Sequence, residues 1–206
     1  MQLIGMLDSP YVRRVAVSLR VLGLPFTHRC VSVFRTYEQF KAINPVVKAP
    51  TLVCNDGTVL MDSTLILDYA EALARPRSLL PENVRERAAA LRSVGLALAA
   101  CEKSVQIVYE RNLRPPEKQH EPWVSRVTEQ LLAAYRALET ELAVPGASLE
   151  LNAATIAAAT TWRFTQEKLP GTVGAHQHPR LHALSQWAEA QPALLASPYD
   201  ETTLHV

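Results

Sequence analysis

The chain has 206 residues, 48% of them hydrophobic and 20% charged, a balance that fills a sizeable core and excludes intrinsic disorder. Lys and Arg number 21 against 20 for Asp and Glu, a formal net charge of +1. No chain-wide field therefore recruits phosphate backbones or anionic lipid, which argues against a dedicated nucleic-acid or membrane-surface protein. Three cysteines, Cys30, Cys54 and Cys101, are widely spaced and form no CxxC pair, so neither a disulfide framework nor a zinc cluster is expected. The start has no basic n-region, and no apolar run approaches the roughly 20 residues that cross a bilayer. The expectation is a soluble, cytoplasmic protein. The length admits one large domain or two modest ones.

In chain order, residues 3–7 read as a short buried strand. Ser9-Pro10 punctuates, and Val12, Val15, Ala16, Leu19 and Leu22 follow at helical spacing, closed by Gly23. Residues 27–34 are a second strand, and 37–43 form one or two helical turns stopped by Asn44-Pro45. The runs 51–54 and 58–61 flank Asn55-Asp56-Gly57 as a hairpin. Helix returns at Ser63. The order is βαβαββα. After Arg75-Pro76-Arg77 and Pro81-Glu82 the strand signals nearly vanish. Ala88, Leu91, Gly95, Leu98, Cys101, Val105 and Val108 trace the inward stripe of a long helix; Trp123, Val127, Leu131, Ala134, Leu138 and Leu142 trace another. Residues 153–164 are apolar or small nearly all round, as in a buried central helix with Asn152 as its cap, and Pro179 opens a last helix with Leu181, Leu184 and Trp187 inward. The predicted domains are 1–76 (α/β), a linker at 77–83, and 84–206 (all-α).

Three segments stand in order: Ser9-Pro10-Tyr11-Val12-Arg13-Arg14-Val15 at the first strand-to-helix turn, Asn44-Pro45-Val46-Val47-Lys48-Ala49-Pro50-Thr51-Leu52 before the hairpin, and Asp62-Ser63-Thr64-Leu65-Ile66-Leu67-Asp68-Tyr69 after it. With the βαβαββα module and the helical module behind it, the chain resembles the cytosolic glutathione transferases, in particular bacterial members with a serine-type motif at the zeta- and omega-like active-site position. The resemblance implies a thioredoxin-like N-terminal domain, a helical-bundle C-terminal domain, glutathione as co-substrate and a C2 homodimer. It also implies roles for the motif residues. Pro50 would be the family's cis-proline, presenting the Ala49 backbone to the cysteinyl unit of glutathione. Ser63 would hold the γ-glutamyl carboxylate and Asp62 its ammonium, while Lys48 would stand near the glycyl carboxylate. The physical setting of Asp62-Ser63 is suitable, because a helix N-terminus presents free amides and a positive dipole end. Read plainly, the same residues are helix caps and strand boundaries.

Ser9 occupies the position of the catalytic serine of zeta-like and the catalytic cysteine of omega-like members. A thiol with a reference pKa of about 8.5 is mostly protonated at neutral pH, and a hydroxyl donor beside a helix N-terminus favours the thiolate. Ser9 would thus activate the sulfur of glutathione without being a nucleophile, and it can cap the helix at the same time. Serine in place of cysteine disfavours mixed-disulfide chemistry. Conjugation or isomerisation of a small hydrophobic electrophile is the leading expectation, and a glutathione-dependent dehalogenase or a non-catalytic interaction protein of the same fold are the alternatives. Tyr11, Tyr109 and Trp162 are candidate walls for the electrophile, with the arginine-rich stretch 109–116 facing it. Arg13 and Arg14 are assigned to no catalytic role. The six histidines, His28, His120, His176, His178, His182 and His205, read as surface residues, and no metal site is expected.

Overall fold

Short β-branched and apolar runs separated by turn residues give the first part of the chain four brief strands: β1 (Gln2–Ile4), β2 (Thr27–Arg29), β3 (Thr51–Val53) and β4 (Val59–Met61). These and all other features come from a computed structural model that describes residues 1–142, 149–200 and 202. The sheet order is β2-β1-β3-β4, with β1 and β2 parallel and the other pairs antiparallel. A parallel pair needs a crossover, and α1 (Pro10–Val21) supplies it. That helix ends where Gly23 turns to φ 72°, with Gly23 N–H donating to Arg20 O and Leu24 N–H to Leu19 O, the paired bonds of a Schellman cap. Strand β2 is much shorter than the expected 27–34. Ser32 Oγ accepts the amides of Phe34 and Arg35, and Thr36 Oγ1 accepts that of Ser32, so side chains take the backbone bonds a longer strand would need. The helices α2 (Tyr37–Ile43) and α3 (Ser63–Ala74) complete the expected βαβαββα order.

The remaining helices are α4 (Val84–Leu113), α5 (Glu121–Glu141), α6 (Ala153–Lys168) and α7 (Pro179–Glu189), with single 3-10 turns at Pro116–Lys118 and Ala175–Gln177. Alanines and aliphatic residues of α4, α5, α6 and α7 make one core around Tyr135 and Trp162, whose rings meet edge-on at 5.3 Å. Polar groups inside it are matched. Ser104 Oγ lies 2.8 Å and Tyr135 Oη 2.6 Å from Thr165 Oγ1, and the buried Glu139 accepts the Arg180 and Leu181 amides at the start of α7. Burial pushes the Tyr135 phenol well above its ordinary value. The inward stripe of α4 is Val94, Ala97, Ala100, Cys101, Ser104 and Ile107, rotated from the predicted one, and Leu91 is exposed. The prediction weighted apolar residues alone and so missed the stripe that runs through Ser104, whose hydroxyl is satisfied by Thr165. On α5 the inward residue is Val124, and Trp123 is partly exposed.

The final helix, α8 (Pro192–Leu195), is a single turn that packs on α1. Two compact units result: Met1–Leu79 together with the segment from Ala190, and Leu80–Glu189. The predicted helical domain ran from 84 to the end of the chain; here its last stretch groups with the sheet unit instead. The reason is polar. Arg13 Nε donates to Ser197 O and Arg20 Nε to Ser197 Oγ, each at 2.9 Å, so two arginines of one helix hold one residue of the returning segment. Among the described residues no helix is long and apolar enough to cross a membrane.

Candidate functional site

Register decides what comes together. Ile4 pairs with Thr51, and Thr51 with Met61. The last residue of β1, the first of β3 and the last of β4 therefore lie in one row, and the chain leaves or enters all three strands at the same end of the sheet. Ser9 follows β1, Ala49 and Pro50 precede β3, and Asp62 and Ser63 follow β4. Antiparallel pairing of β3 with both neighbours makes this grouping unavoidable.

The first turn is built by close approach. Gly5 has φ 138°, and a Cβ there would stand 2.6 Å from Val12 Cγ2, so only glycine lets β1 end against α1. Ser9 then takes an extended conformation as N-cap with Pro10 in the first helical position, and its Oγ accepts the Val12 amide at a long 3.4 Å. An oxygen that accepts this bond still holds its own proton, so Ser9 can cap the helix and donate at once.

The second segment is held by Asn44, a buried side chain that the sequence reading used only as a helix stop. Its Nδ2 donates to Thr51 Oγ1 at 2.8 Å, its Oδ1 accepts the Val46 amide at 3.0 Å, and Thr51 Oγ1 donates to Lys48 O at 2.7 Å. The Ala49–Pro50 peptide is cis. Val47 stands at φ 53°, a rare conformation for a β-branched residue, and it packs against the cluster of Ile4, Val31 and Phe40. Side-chain bonds and packing thus fix the loop that carries Ala49. Lys48 is exposed.

At the third segment Asp62 adopts φ 73° and caps α3, its Oδ1 accepting the Thr64 amide at 2.9 Å. Ser63 is buried, and its Oγ accepts a bond from Arg14 Nη1 at 3.0 Å. Arg14, to which the sequence reading gave no catalytic role, stands five residues after Ser9 on the helix that crosses from β1 to β2.

The other candidates fare differently. Tyr11 is half-buried on α1, and Tyr109 is exposed on α4. Trp162 is 2% exposed in the core of the helical unit. It packs edge-on against Tyr135 and is a core residue, not a pocket wall. The arginines of 109–116 are engaged within their own unit: Arg111 pairs with Glu121 and Arg114 Nε with Glu110 Oε2 at 2.8 Å. Both close the turn between α4 and α5. His178 is buried, with Nδ1 3.0 Å from Gly174 O and its ring against Tyr135 and Trp162, which corrects its reading as a surface residue; His205 lies outside the described residues. Cys30 is buried, and burial first, then Asp200 and Asp8, push its thiol up, away from thiolate chemistry. Among the described residues no group of His, Cys, Asp and Glu is arranged to hold a metal.

A four-stranded sheet with this connectivity, a cis-proline before β3 and an all-helical unit in the same chain define a thioredoxin-like domain joined to a helical one. The family model described as the glutathione S-transferase N-terminal domain matches residues 3–78. The structure resembles a glutathione transferase family member from Pseudomonas fluorescens Pf-5 solved with bound S-(propanoic acid)-glutathione, at 29% identity and TM-score 0.78 over 96% of this chain and 98% of that one. It also resembles a glutathione S-transferase of Methylobacterium radiotolerans JCM 2831 in complex with glutathione sulfonate, at 26% identity and TM-score 0.88 over 100% and 98%. Glutathione S-transferase U4 of Arabidopsis thaliana is 27% identical over 117 residues. That match spans 52% of each protein, about half the relative's length. Residues 3–78 are thus a glutathione S-transferase N-terminal domain, and the chain as a whole has the glutathione transferase fold.

Proposed function

We propose that the protein is a glutathione transferase that activates the thiol of glutathione for attack on a small apolar electrophile. The observation that carries this reading is the gathering of Ser9, Ala49 and Asp62-Ser63 at one end of the sheet by the Ile4, Thr51 and Met61 register. Each group meets one part of a glutathione molecule. The Ala49 backbone pairs with the cysteinyl unit in strand fashion, and the cis Pro50 after it sets the direction of that backbone. The buried Ser63 and the first-turn amides of α3 meet the γ-glutamyl carboxylate. Asp62 meets the adjoining ammonium, and the exposed Lys48 is close in sequence for the glycyl carboxylate. The sulfur then falls near Ser9, whose hydroxyl proton and helix N-terminus favour the thiolate. Each pKa unit of depression corresponds to about 1.36 kcal/mol. The thiol proton leaves to solvent and the sulfur gives an electron pair to the electrophilic carbon, which either expels a leaving group with its bonding pair or, in an addition, shifts a π pair to a neighbouring atom that takes a proton from solvent; no cysteine of the protein is consumed.

Tyr11, half-buried on the first turn of α1 two residues after Ser9, is a candidate wall for an electrophile; which electrophile is used depends on apolar surroundings that report volume better than chemistry. We place the protein in the cytoplasm as a homodimer. Exposed apolar side chains on α3 (Leu65, Leu73) and α4 (Val84, Leu91) support self-association, which sedimentation tests directly. The function is tested by retention on immobilised glutathione, followed by conjugation assays over a broad electrophile panel. Binding and turnover by the wild type, with turnover lost in Ser9→Ala, is the expected result. Absence of both in the wild type would leave a non-catalytic interaction protein as the reading.

A further inference from the structure

The end of α1 away from Ser9 borders a cavity that the proposed reaction does not use. It is open to solvent, about 510 Å³ in volume, and bounded by Arg20 and Phe26, by Leu24 and Pro25 of the turn between them, and by Pro192 and Ala193 of α8. All of these belong to the sheet unit with its returning segment, and the volume is that of a small-molecule site. Helix α1 has 12 residues, so the cavity lies roughly 18 Å from the Ser9 end. Arg20 is fixed there on two sides. Its Nε donates to Ser197 Oγ at 2.9 Å, and its guanidinium lies over the Phe26 ring, 5.1 Å from the centroid. With Nε taken, the two terminal amino groups remain, and no carboxylate of the described residues pairs with them. The C-terminus of a helix would by itself repel an anion, since it carries the negative end of the dipole. Here that end is quenched. The Gly23 and Leu24 amides donate to the Arg20 and Leu19 carbonyls, and Arg77 Nη1 donates to Leu22 O at 3.4 Å, so near Gly23 that a Cβ there would collide with it. A second positive charge thus stands at the rim.

We propose that this cavity is a binding site for a small monocarboxylate with a flat apolar body. The terminal amino groups of Arg20 present a planar fork that matches both oxygens of one carboxylate. The apolar body lies on Leu24, Pro25, Pro192 and Ala193, where removing its faces from water adds affinity. A bare inorganic anion would use the arginine and leave those four side chains wet, and a neutral ring would use them and leave the arginine unpaired. Because Pro192 and Ala193 come from the returning segment, the bound acid ties that segment to α1, as the Ser197 bonds already do. The site stands independently of the glutathione reading.

The test uses naphthalene-2-carboxylate and its neutral carboxamide, titrated calorimetrically into the wild type, Arg20→Gln and Ala193→Phe. The wild type is expected to bind one equivalent of the acid and to prefer it to the amide by on the order of 10-fold or more, the size of a hydrogen bond to a charged group. In Arg20→Gln the acid falls to the affinity of the amide. Ala193→Phe keeps the charge and fills the cavity, so the acid again loses on the order of 10-fold or more. Saturating S-hexylglutathione, a ligand for the Ser9 end, leaves the wild-type affinity for the acid unchanged. A wild type that does not bind the acid at millimolar concentration overturns the proposal, and so does displacement of the acid by S-hexylglutathione. Undiminished binding of the acid by either variant overturns it as well. Should Arg20→Gln release the returning segment and fail to fold, Ala193→Phe decides alone.

Discussion

Helices α3 and α6 begin with similar chemistry and use it differently. Asn152 accepts the Ala154 and Thr155 amides, each at 3.0 Å, and Thr155 Oγ1 accepts the Asn152 amide at 2.9 Å. The capping box is closed on itself, with neutral groups satisfying one another locally. At α3 the cap is Asp62, an anion in a left-handed conformation, which takes the Thr64 amide, while the next side chain, Ser63, is engaged by a buried arginine from another helix. One N-terminus is a folding signal, complete within six residues, the Thr155 hydroxyl donating to Glu150 O at 2.7 Å. The other is built from two parts of the chain and carries charge of both signs. The contrast extends to the two units. Buried polar groups of the helical unit, such as the Ser104, Thr165 and Tyr135 hydroxyls, satisfy one another inside a core, whereas in the sheet unit the buried Asn44, Thr51 and Ser63 lie at the end of the sheet that carries the candidate site.

The sharpest way to break this contrast is Trp162→Ala. If the helical unit is a self-satisfied core, the substitution lowers unfolding free energy by about 3–5 kcal/mol in urea titration. A loss below about 1 kcal/mol with a changed electrophile KM would return Trp162 to a pocket wall. Next comes Ser9→Ala, for which kcat/KM for conjugation is expected to fall on the order of 100-fold, about 2.7 kcal/mol of activation free energy. Its effect on stability should be near the low end of the roughly 0.5–2 kcal/mol of a lost cap, because the 3.4 Å bond to Val12 is long. Full activity in this variant would mean that Ser9 is only a cap.

Asn152→Ala separates the two helix starts. It should cost about 1 kcal/mol of stability, read as a lower Tm, with unchanged affinity for glutathione. A shift in affinity comparable to that of Ser63→Ala would erase the distinction between a folding cap and a binding one.

The smallest effect concerns the turn between α4 and α5. Arg111 beside it holds the Glu121 carboxyl below its ordinary value. A carboxyl whose folded value is depressed adds stability above its unfolded value, and that contribution is lost as pH falls through the folded one. Urea midpoints of wild type and Glu121→Gln should differ slightly at pH 7 and converge below about pH 4. A difference that persists at lower pH would show that the ion pair is not its source. Both groups are exposed, and the effect is correspondingly small.

Much of the fold was legible in the residues. Apolar spacing and turn residues located every strand and all the longer helices, and Asn152 announced the α6 cap, because these signals are complete within a few positions. The misses share a cause. Ser104 fell outside the predicted apolar stripe and His178 read as a surface residue, yet each is buried, with a hydrogen-bond partner inside its own unit. Helix α8 has four residues and no periodicity to read. The residue after it that matters, Ser197, is held by Arg13 from 184 positions away. Of the candidate site, the motif residues Ser9, Ala49, Pro50, Asp62 and Ser63 were named from sequence, whereas Asn44 was noticed only as a helix stop and Arg14 only as a neighbour of Ser9.

By itself the sequence determined the two textures, the order βαβαββα followed by helices, and the chemistry of the local caps, since backbone preference and capping depend on neighbours within a turn. The tertiary structure alone decided that the returning segment belongs with the sheet unit, that Trp162 is core, and that Arg14 stands behind Ser63. Those outcomes depend on strand register and on where long side chains end, and a guanidinium at the tip of a flexible stem can serve any oxygen the fold brings within its reach.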